Sequence, residues 1–290
     1  MINKHKIWLG IFVAPAILMF LLFYAVPLVM VLGTSFTNWK ISVPIKFIGF
    51  GNFMEVANDP AFMPSFVNTM KWLLLMCTVF VGLGIMVAML TIKEKRFMVF
   101  ARKAYLIPNM IAVAVMARVF YAMFNSGYGL VNQFIQAIGF QDFNKNWYYE
   151  ANSSFLTVAL STVIFAGVVT LMISAEIASI PVDTFESAKI DGANEFQTSI
   201  FIVLPMLKNI IATSLILAAT WVLKTFEVIY LTTEGGPGYD TMNLPLLLYK
   251  KAMSEYSYGY ANAIGVVILM LGIFSIAAIS KASKIGETHY

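Results

Sequence analysis

Charge is scarce in this sequence. Only 12% of its 290 residues are Asp, Glu, Lys or Arg, where soluble domains carry roughly a quarter. Hydrophobic residues make up 60% of the chain, and its mean hydropathy is +0.80. A chain of this composition has too few polar side chains to cover a folded domain in water. The composition therefore predicts a protein that folds in a membrane.

Residues that carry catalysis or bind metals are equally scarce. Cys77 is the single cysteine, which excludes an intramolecular disulfide, and the two histidines, His5 and His289, lie near opposite ends. The sequence has no H-E-x-x-H motif, no Cys/His metal spacing and no nucleophile elbow. It also lacks a G-x-x-x-x-G-K-[S/T] loop that could cradle nucleotide phosphates. We therefore expect no enzyme activity, metal or cofactor in this chain.

Long apolar runs, in contrast, are abundant. Crossing about 30 Å of hydrocarbon takes a helix of about 20 residues, and lipid cannot satisfy the free backbone groups of an irregular span. The first run is about twice the length of a signal-peptide h-region, so we interpret it as an uncleaved span. The prediction is an all-α integral membrane protein, a single domain over residues 1–290. Its six transmembrane helices are expected near residues 7–35, 66–92, 105–124, 155–174, 206–230 and 260–279.

Lys and Arg indicate which way these helices cross, because cationic flanks favour the cytoplasm. With the amino terminus inside, eleven of the nineteen Lys and Arg residues fall in cytoplasmic segments and five outside. The other three, Lys71, Arg118 and Lys224, lie in or near spans. Both termini are therefore predicted to be cytoplasmic. The same cytoplasmic excess accounts for the net charge of +4, so no nucleic-acid partner is expected.

A polar stretch between the fourth and fifth spans, at about residues 181–205, carries its own folding signals. Pro181 suits the first turn of a helix, Gly192 suits the left-handed residue that ends one, and Asn194 with Gln197 can form a capping box. The stretch is thus predicted to fold as helix, turn, helix on the cytoplasmic side. It is either a plain solvated connector or a partner-binding surface. The second interpretation rests on two features. Ser187 and Ala188 are small enough for a partner to approach closely. Four acidic residues outnumber the single cation, Lys189: Asp183, Glu186, Asp191 and Glu195.

The order of residues in this stretch is distinctive. It reads Glu186-Ser187-Ala188, then Gly192, Ile202 and Leu204-Pro205, and it resembles the EAA loop of ABC importer permeases. Outer segments are similar to the carbohydrate-uptake branch of that family, among them Phe36-Thr37-Asn38-Trp39, Tyr128-Gly129-Leu130-Val131-Asn132 and residues 231–237. The resemblance implies the type I ABC importer permease fold. It also implies a non-catalytic pore subunit that moves a sugar or sugar-like solute into a bacterial or archaeal cell.

The same resemblance implies partners and roles for the loop. ATP and Mg would be bound by two copies of a separate ABC ATPase, to which the loop couples through Glu186, Ser187, Ala188, Asp191 and Gly192. The other expected partners are a second, homologous permease, an extracellular solute-binding protein and the lipid membrane. ATP binding would draw the loops together and open the cavity outward, and hydrolysis would reverse that motion.

The resemblance also places the solute path between the fourth and fifth spans. That path would include Ser161, Phe165, Val168, Ala218 and Val222. Residue chemistry adds Trp221 and Thr225 to these candidates. Trp221 and Thr225 suit a sugar, because an aromatic face covers its C–H surface and a hydroxyl bonds its hydroxyl groups. Most of the other path residues are apolar, so either a partner subunit supplies the sugar contacts or this chain shapes the channel. Aromatic residues at helical spacing are also commonly packing residues.

Three charges fall within the predicted spans, where ionisable groups face a protein interior or a water-filled cavity. Lys224 and Glu227, three apart, are predicted to share a helix face, either as an internal ion pair or at the border of the translocation cavity. Arg118 is the alternative partner for Glu227. A competing function, a self-contained ion-coupled secondary sugar carrier, would use these three residues as its coupling site. Such carriers usually show repeated halves, and no clear repeat is found here.

Overall fold

The structure is a computed structural model that describes residues 2–92, 100, 103 and 105–283, without the side chains of residues 2–7, 164 and 165. The chain termini and most of the basic segment near residues 93–104, which carry much of the predicted cytoplasmic charge, lie outside the described residues. The described part is helical and contains no strand; its isolated antiparallel bridge joins Thr37 and Phe47. The predicted all-α class is confirmed.

Helical bounds within the described residues are as follows. The α-helices are Ile2–Phe20, Val26–Thr34, Gly51–Asn58, Phe62–Leu75, Val81–Leu90, Val113–Met123, Leu130–Ala137, Ala151–Leu160, Gly167–Ser179, Val182–Ile190, Glu195–Gln197, Leu204–Met206, Lys208–Val222, Glu227–Thr232, Leu244–Met253 and Tyr258–Ser283. Leu21–Ala25, Met76–Phe80 and Thr198–Val203 are π-helical, and Ile107–Met110 and Val163–Ala166 are 3₁₀ turns.

Continuous spans account for half of the six predicted. Ile11–Thr34, Phe62–Leu90 and Tyr258–Ser283 are each long and apolar enough to cross a membrane, matching the first, second and sixth. Two further pairs of helices are each bent sharply at a short break. If each pair is counted as one span, the described residues contain five. The third, fourth and fifth predicted spans are interrupted helices, with breaks that the apolar runs did not indicate.

Polar groups explain how an apolar chain tolerates these interruptions. In the fourth predicted span, the hydroxyl groups of Ser161 and Thr162 donate to the carbonyls of Val158 and Ala159 at 2.6 and 2.7 Å. They satisfy backbone oxygens that the helix end would leave free. Ser and Thr side chains commonly do this where a membrane helix is broken. The break therefore needs no contact with bulk water.

The described residues group into two compact units. The first combines the described parts of Met1–Phe62 and Leu247–Met270. In it, Asn52 donates from Nδ2 to the carbonyls of Ser35 and Thr37 at 2.7 and 2.8 Å, which satisfies oxygens just past a helix end. Gly259 donates from its backbone N–H to the carbonyl of Trp39 at 2.9 Å, a contact with no room for a side chain at Gly259.

The second unit combines the described parts of Met63–Leu246 and Leu271–Tyr290. Its core joins the second span, the helix Gly167–Ser179 and both ends of the polar loop. Gly84 allows these helices to pack closely, and its carbonyl accepts a hydrogen bond from Thr170 Oγ1 at 3.2 Å. The buried residues of this core are Val81, Ala88, Val169, Ile173, Ile177, Ile180, Val203 and Leu207. The single domain expected from the sequence stays a prediction.

Asn68 and Thr69, at the start of the second span, hold a distant turn in place. Asn68 Nδ2 donates to the carbonyls of Tyr239 and Met242, both at 2.9 Å. Thr69 Oγ1 accepts from the backbone N–H of Leu244 at 3.0 Å. These bonds satisfy backbone groups in the turn that follows the helix Glu227–Thr232, and so fix the segment that leads into Leu244–Met253.

Candidate functional site

The loop predicted to bind a partner is set off from its flanking helices by two sharp bends. The helix Gly167–Ser179 meets Val182–Ile190 at 74°, and Glu195–Met206 meets Lys208–Val222 at 68°. Residues in the helix Val182–Ile190 therefore run across the direction of the preceding helix. This geometry suits a helix that lies beside the end of a span instead of continuing it.

Pro181 begins the first loop helix. It has extended backbone (φ −56°, ψ 139°) and is the residue immediately before Val182. Asp183 lies in the first turn and Lys189 in the last, the arrangement that favours both ends of a helix dipole. The prediction placed Pro181 inside the first turn, and the structure places it one residue earlier.

Gly192 ends this helix in a Schellman motif. Its φ is +80°, a left-handed conformation that favours glycine. Its N–H donates to the Lys189 carbonyl at 3.2 Å, and the Ala193 N–H donates to the Ala188 carbonyl at 2.9 Å. These are the two bonds that define the motif. The predicted role of Gly192 as a helix terminator is confirmed.

Asn194 and Gln197 begin the second loop helix with the predicted capping box. Asn194 Oδ1 accepts from the Gln197 N–H, and Gln197 Oε1 accepts from the Asn194 N–H, both at 2.9 Å. Both bonds satisfy backbone donors at the helix start. The loop is therefore helix, turn, helix, with defined hydrogen bonds on each side of Gly192.

Exposure separates the predicted coupling residues into two groups. Glu186, Ser187, Asp191 and Gly192 are exposed, whereas Ala188 is only 4% exposed. The small size of Ala188 therefore serves packing within this chain, which corrects the expectation that a partner approaches it directly. Ile190 is 86% exposed. It extends the exposed face of the helix with an apolar side chain that has nothing to bury it in the described chain.

The predicted solute path is brought together only in part. Trp221, Val222 and Thr225 line a small cavity of about 10 Å³ with four residues that sequence reasoning missed: Trp72, Val228, Ile229 and Asn243. Ser161 is buried and bonds its own helix, Ala218 packs against the core of the second unit, and Val168 is 44% exposed. None of these three lines the cavity. The side chain of Phe165 lies outside the described residues.

The cavity lies beside a break in the fifth predicted span. The helix Lys208–Val222 ends there, and Glu227–Thr232 begins after a turn. Asn243 Nδ2 donates to the Thr225 carbonyl at 2.8 Å, while Asn243 Oδ1 accepts from the Leu246 N–H at 3.0 Å. Asn243 thus caps one helix and holds the broken backbone of another. The order Asn243-Leu244-Pro245 is a helix-start signal that could have identified it.

The three charges do not form the predicted pairs. The helix Lys208–Val222 ends before Lys224, and the next helix begins at Glu227, so these two residues do not share one helical face. Both are exposed, and within the described residues they form no ion pair with each other. Arg118 is also exposed and lies over the ring of Tyr121, 5.8 Å from its centroid, instead of pairing with Glu227. No coupling site for an ion-driven carrier is formed by these residues.

Comparison with known proteins decides the family. Residues 4–283 match the binding-protein-dependent transport system inner membrane component. The chain belongs to this family. It is 32% identical to the probable ABC transporter permease protein YurN of Bacillus subtilis, over 99% of each chain. It is 31% identical to the sulfoquinovosyl glycerol transport system permease protein SmoG of Agrobacterium fabrum, over 90% of this chain and 85% of SmoG.

Solved structures agree on the fold. A chain from the crystal structure of a bacterial ABC transporter involved in the import of the acidic polysaccharide alginate matches with a TM-score of 0.83, at 21% identity and 98% coverage of both chains. A second matching chain comes from the crystal structure of a bacterial alginate ABC transporter in complex with alginate pentasaccharide-bound periplasmic protein. It matches with a TM-score of 0.83 at 23% identity. The ABC importer permease fold is therefore confirmed. Together with the family match over residues 4–283 and the permease relatives, this makes the protein a permease of an ABC importer.

Proposed function

We propose that this permease carries a carbohydrate or a carbohydrate derivative into the cell, driven by ATP that separate ATPase subunits hydrolyse. Support comes from its full-length relatives, several of which are named as permeases for sugars, oligosaccharides or a glycosyl glycerol. The chain supplies the pore and no catalysis. ATP and Mg are bound by the partner ATPases.

The exposed helix Val182–Ile190 is the observation that carries the coupling role. It is fixed at both ends, is bent away from its span by 74°, and presents Glu186 and Ser187 outward. A rigid helix transmits a push or a pull better than a solvated connector does. Glu186 pairs with a cationic site on the ATPase, Ser187 allows close approach, and Ile190 adds apolar contact. Ala188 and Gly192 act indirectly, by fixing the helix.

The assembly and orientation follow from the same proposal. The permease crosses the bacterial or archaeal cell membrane several times, with both termini in the cytoplasm, so that the loop reaches the ATPases. It pairs with a second, homologous permease and two ATPase copies, and it receives solute from an extracellular solute-binding protein. Trp221, Val222 and Thr225 contribute to the solute path at the break in the fifth span.

A charge reversal tests the proposal directly. Inverted membrane vesicles containing the complete transporter would be compared with vesicles carrying Glu186→Lys. The measurements are ATP-dependent release of preloaded labelled saccharides, which corresponds to import in the cell, and ATPase activity. We expect Glu186→Lys to abolish transport, while the amount of this permease in the membrane stays the same. The matched control is Asp142→Lys, which reverses an exposed carboxylate outside the loop.

Two readouts separate the possible failures. Loss of co-purifying ATPase together with transport in Glu186→Lys, and not in Asp142→Lys, supports docking through the loop. Wild-type transport in Glu186→Lys contradicts the coupling role. Saccharide transport that proceeds without ATP contradicts the proposed energy source.

A further inference from the structure

Trp72 has a buried hydrogen-bond donor with no acceptor. Its side chain is 4% exposed, and its indole N–H meets no partner among the described residues. A buried donor left unpaired lowers stability, so its presence calls for an explanation. Trp72 lies on the second span and lines the cavity beside the break in the fifth.

The polar side chains of Thr225 and Asn243, which also line the cavity, are already engaged or can only accept. The hydroxyl group of Thr225 donates to the Trp221 carbonyl at 2.8 Å, so its proton is used and its oxygen can still accept. The amide group of Asn243 is used on both sides, by the Thr225 carbonyl and the Leu246 N–H. Trp72 therefore adds an unpaired donor to a lining in which Thr225 offers an accepting oxygen, whereas Trp221, also in the lining, has an interaction of its own.

That pair of groups matches the chemistry of an alcohol. A hydroxyl group accepts one hydrogen bond and donates another, whereas an ionised carboxylate or sulfonate only accepts. The cavity lining contains no charged residue. Arg118 and Lys224, the cations that could have favoured an acidic sugar, are exposed and do not line it. A volume of about 10 Å³ holds about one water molecule or one hydroxyl group.

We propose that Trp72 is a specificity-determining residue whose indole N–H donates to one hydroxyl group of a neutral saccharide, while Thr225 accepts from the same hydroxyl. This inference rests on the proposed function. In the described structure the donor is closed off from water, so the cavity widens when the transporter opens to solute. The unpaired N–H favours that opening, because a solute hydroxyl then satisfies it.

The test uses the complete transporter in proteoliposomes with its solute-binding protein. The probes are labelled neutral saccharides (maltose, maltotriose and arabinotriose) and labelled acidic ones (glucuronate and sulfoquinovose). Trp72→Phe removes the N–H and retains an aromatic ring to pack against Phe155, whose ring centroid lies 5.4 Å away. The control Trp8→Phe removes an indole N–H from a side chain that is 61% exposed.

We expect a neutral probe to be transported best and Trp72→Phe to raise its KM by about fivefold to tenfold, the loss of one neutral hydrogen bond. Trp8→Phe should leave the KM unchanged. Trp8→Phe should also leave basal ATPase activity unchanged, and membrane abundance should be measured for both variants so that KM values are compared at known amounts of transporter. An acidic probe transported in preference to the neutral ones, or an unchanged KM in Trp72→Phe, would overturn the inference.

Monodeoxy forms of the transported probe separate a hydrogen bond from a structural effect. One monodeoxy probe should have a raised KM with the wild-type protein and no further increase with Trp72→Phe, because donor and hydroxyl belong to one bond. Additive increases for every monodeoxy probe would overturn the inference. The wild-type half of this comparison remains informative if Trp72→Phe folds poorly: no monodeoxy penalty at all would also overturn it. Transport of none of the probes would contradict the proposed function itself, and this inference with it.

Discussion

Asn194 and Gln197 exchange two hydrogen bonds of 2.9 Å, one in each direction, at the start of the second loop helix. Together with the Schellman motif at Gly192, this pair fixes the turn between the two helices of the loop. Both motifs are local, since each joins residues within five positions of one another. The loop is consequently a preformed element and does not need its partner in order to fold.

Removing the cap should loosen the loop without removing the chain from the membrane. Asn194→Ala deletes one of the two bonds and is expected to cost about 1 kcal/mol of local stability. The amides of Gln197 and its neighbours should then exchange faster with deuterium, and ATP-driven transport should fall. Asn194→Ser is the matched control, because serine caps a helix as well. Equal exchange in both variants would show that the cap does not hold the loop.

Close packing at Gly84 predicts a contrast with Gly82. A Cβ atom at Gly84 would lie 2.6 Å from the Val169 side chain and 3.1 Å from the Ala166 carbonyl oxygen, whereas one at Gly82 meets nothing within 4 Å. Gly84→Ala is therefore expected to destabilise the protein by about 1–3 kcal/mol. Thermal unfolding in detergent measures this. Equal melting temperatures for Gly84→Ala and Gly82→Ala would contradict the packing described for the second unit.

Asp59 gives the first unit a pH dependence. Burial alone would raise the pKa of its carboxyl group, but hydrogen bonds from Tyr260 (2.6 Å), the Ala61 N–H (2.8 Å) and Lys251 (3.1 Å) outweigh burial and lower that pKa. A lowered folded-state pKa stabilises the fold above the unfolded-state value of about 3.9, and this contribution is lost as the pH falls through the folded value.

Asp59→Asn should therefore lower the melting temperature near neutral pH and have progressively less effect as the pH is reduced below about 4. The difference between the two melting curves is the measurement, because it cancels the titration of other carboxyl groups. A difference that stays constant with pH would mean that the charge of Asp59 does not stabilise the unit.

Lys224 and Glu227 should behave as independent residues. Because no ion pair joins them, the effects of Lys224→Ala and Glu227→Ala on stability should add within about 0.5 kcal/mol in the double variant. ATP-driven transport in vesicles should also continue when proton and sodium gradients are collapsed. A coupling energy well above that limit, or transport driven by a gradient without ATP, would restore the ion-coupled carrier as an explanation.

The fold of the loop could be predicted because its signals are local. The rest of the site depends on contacts between residues distant in the sequence, which could not be predicted. Gly192 and the Asn194–Gln197 pair act over a few residues, so their spacing in the sequence was sufficient. The break after Val222 depends on Asn243, and the cavity depends on Trp72, which lies on another span. An apolar run does not show which distant residues contact it, so the break in the fifth span could not be seen in the sequence. The inward position of Ala188 follows from helical periodicity with Phe185, which also packs against the buried core.

Photo-crosslinking from Ser187 directly tests whether the loop docks on an ATPase subunit. Ser187→Cys in a Cys77→Ser background gives a single labelling site, to which a benzophenone maleimide is attached in inverted vesicles holding the complete transporter. Asp142→Cys in the same background is the control. We expect irradiation to join the Ser187 position, and not the Asp142 position, to the ATPase subunit. Adducts at Ser187 that contain only lipid, while the ATPase still co-purifies with the permease, would contradict it.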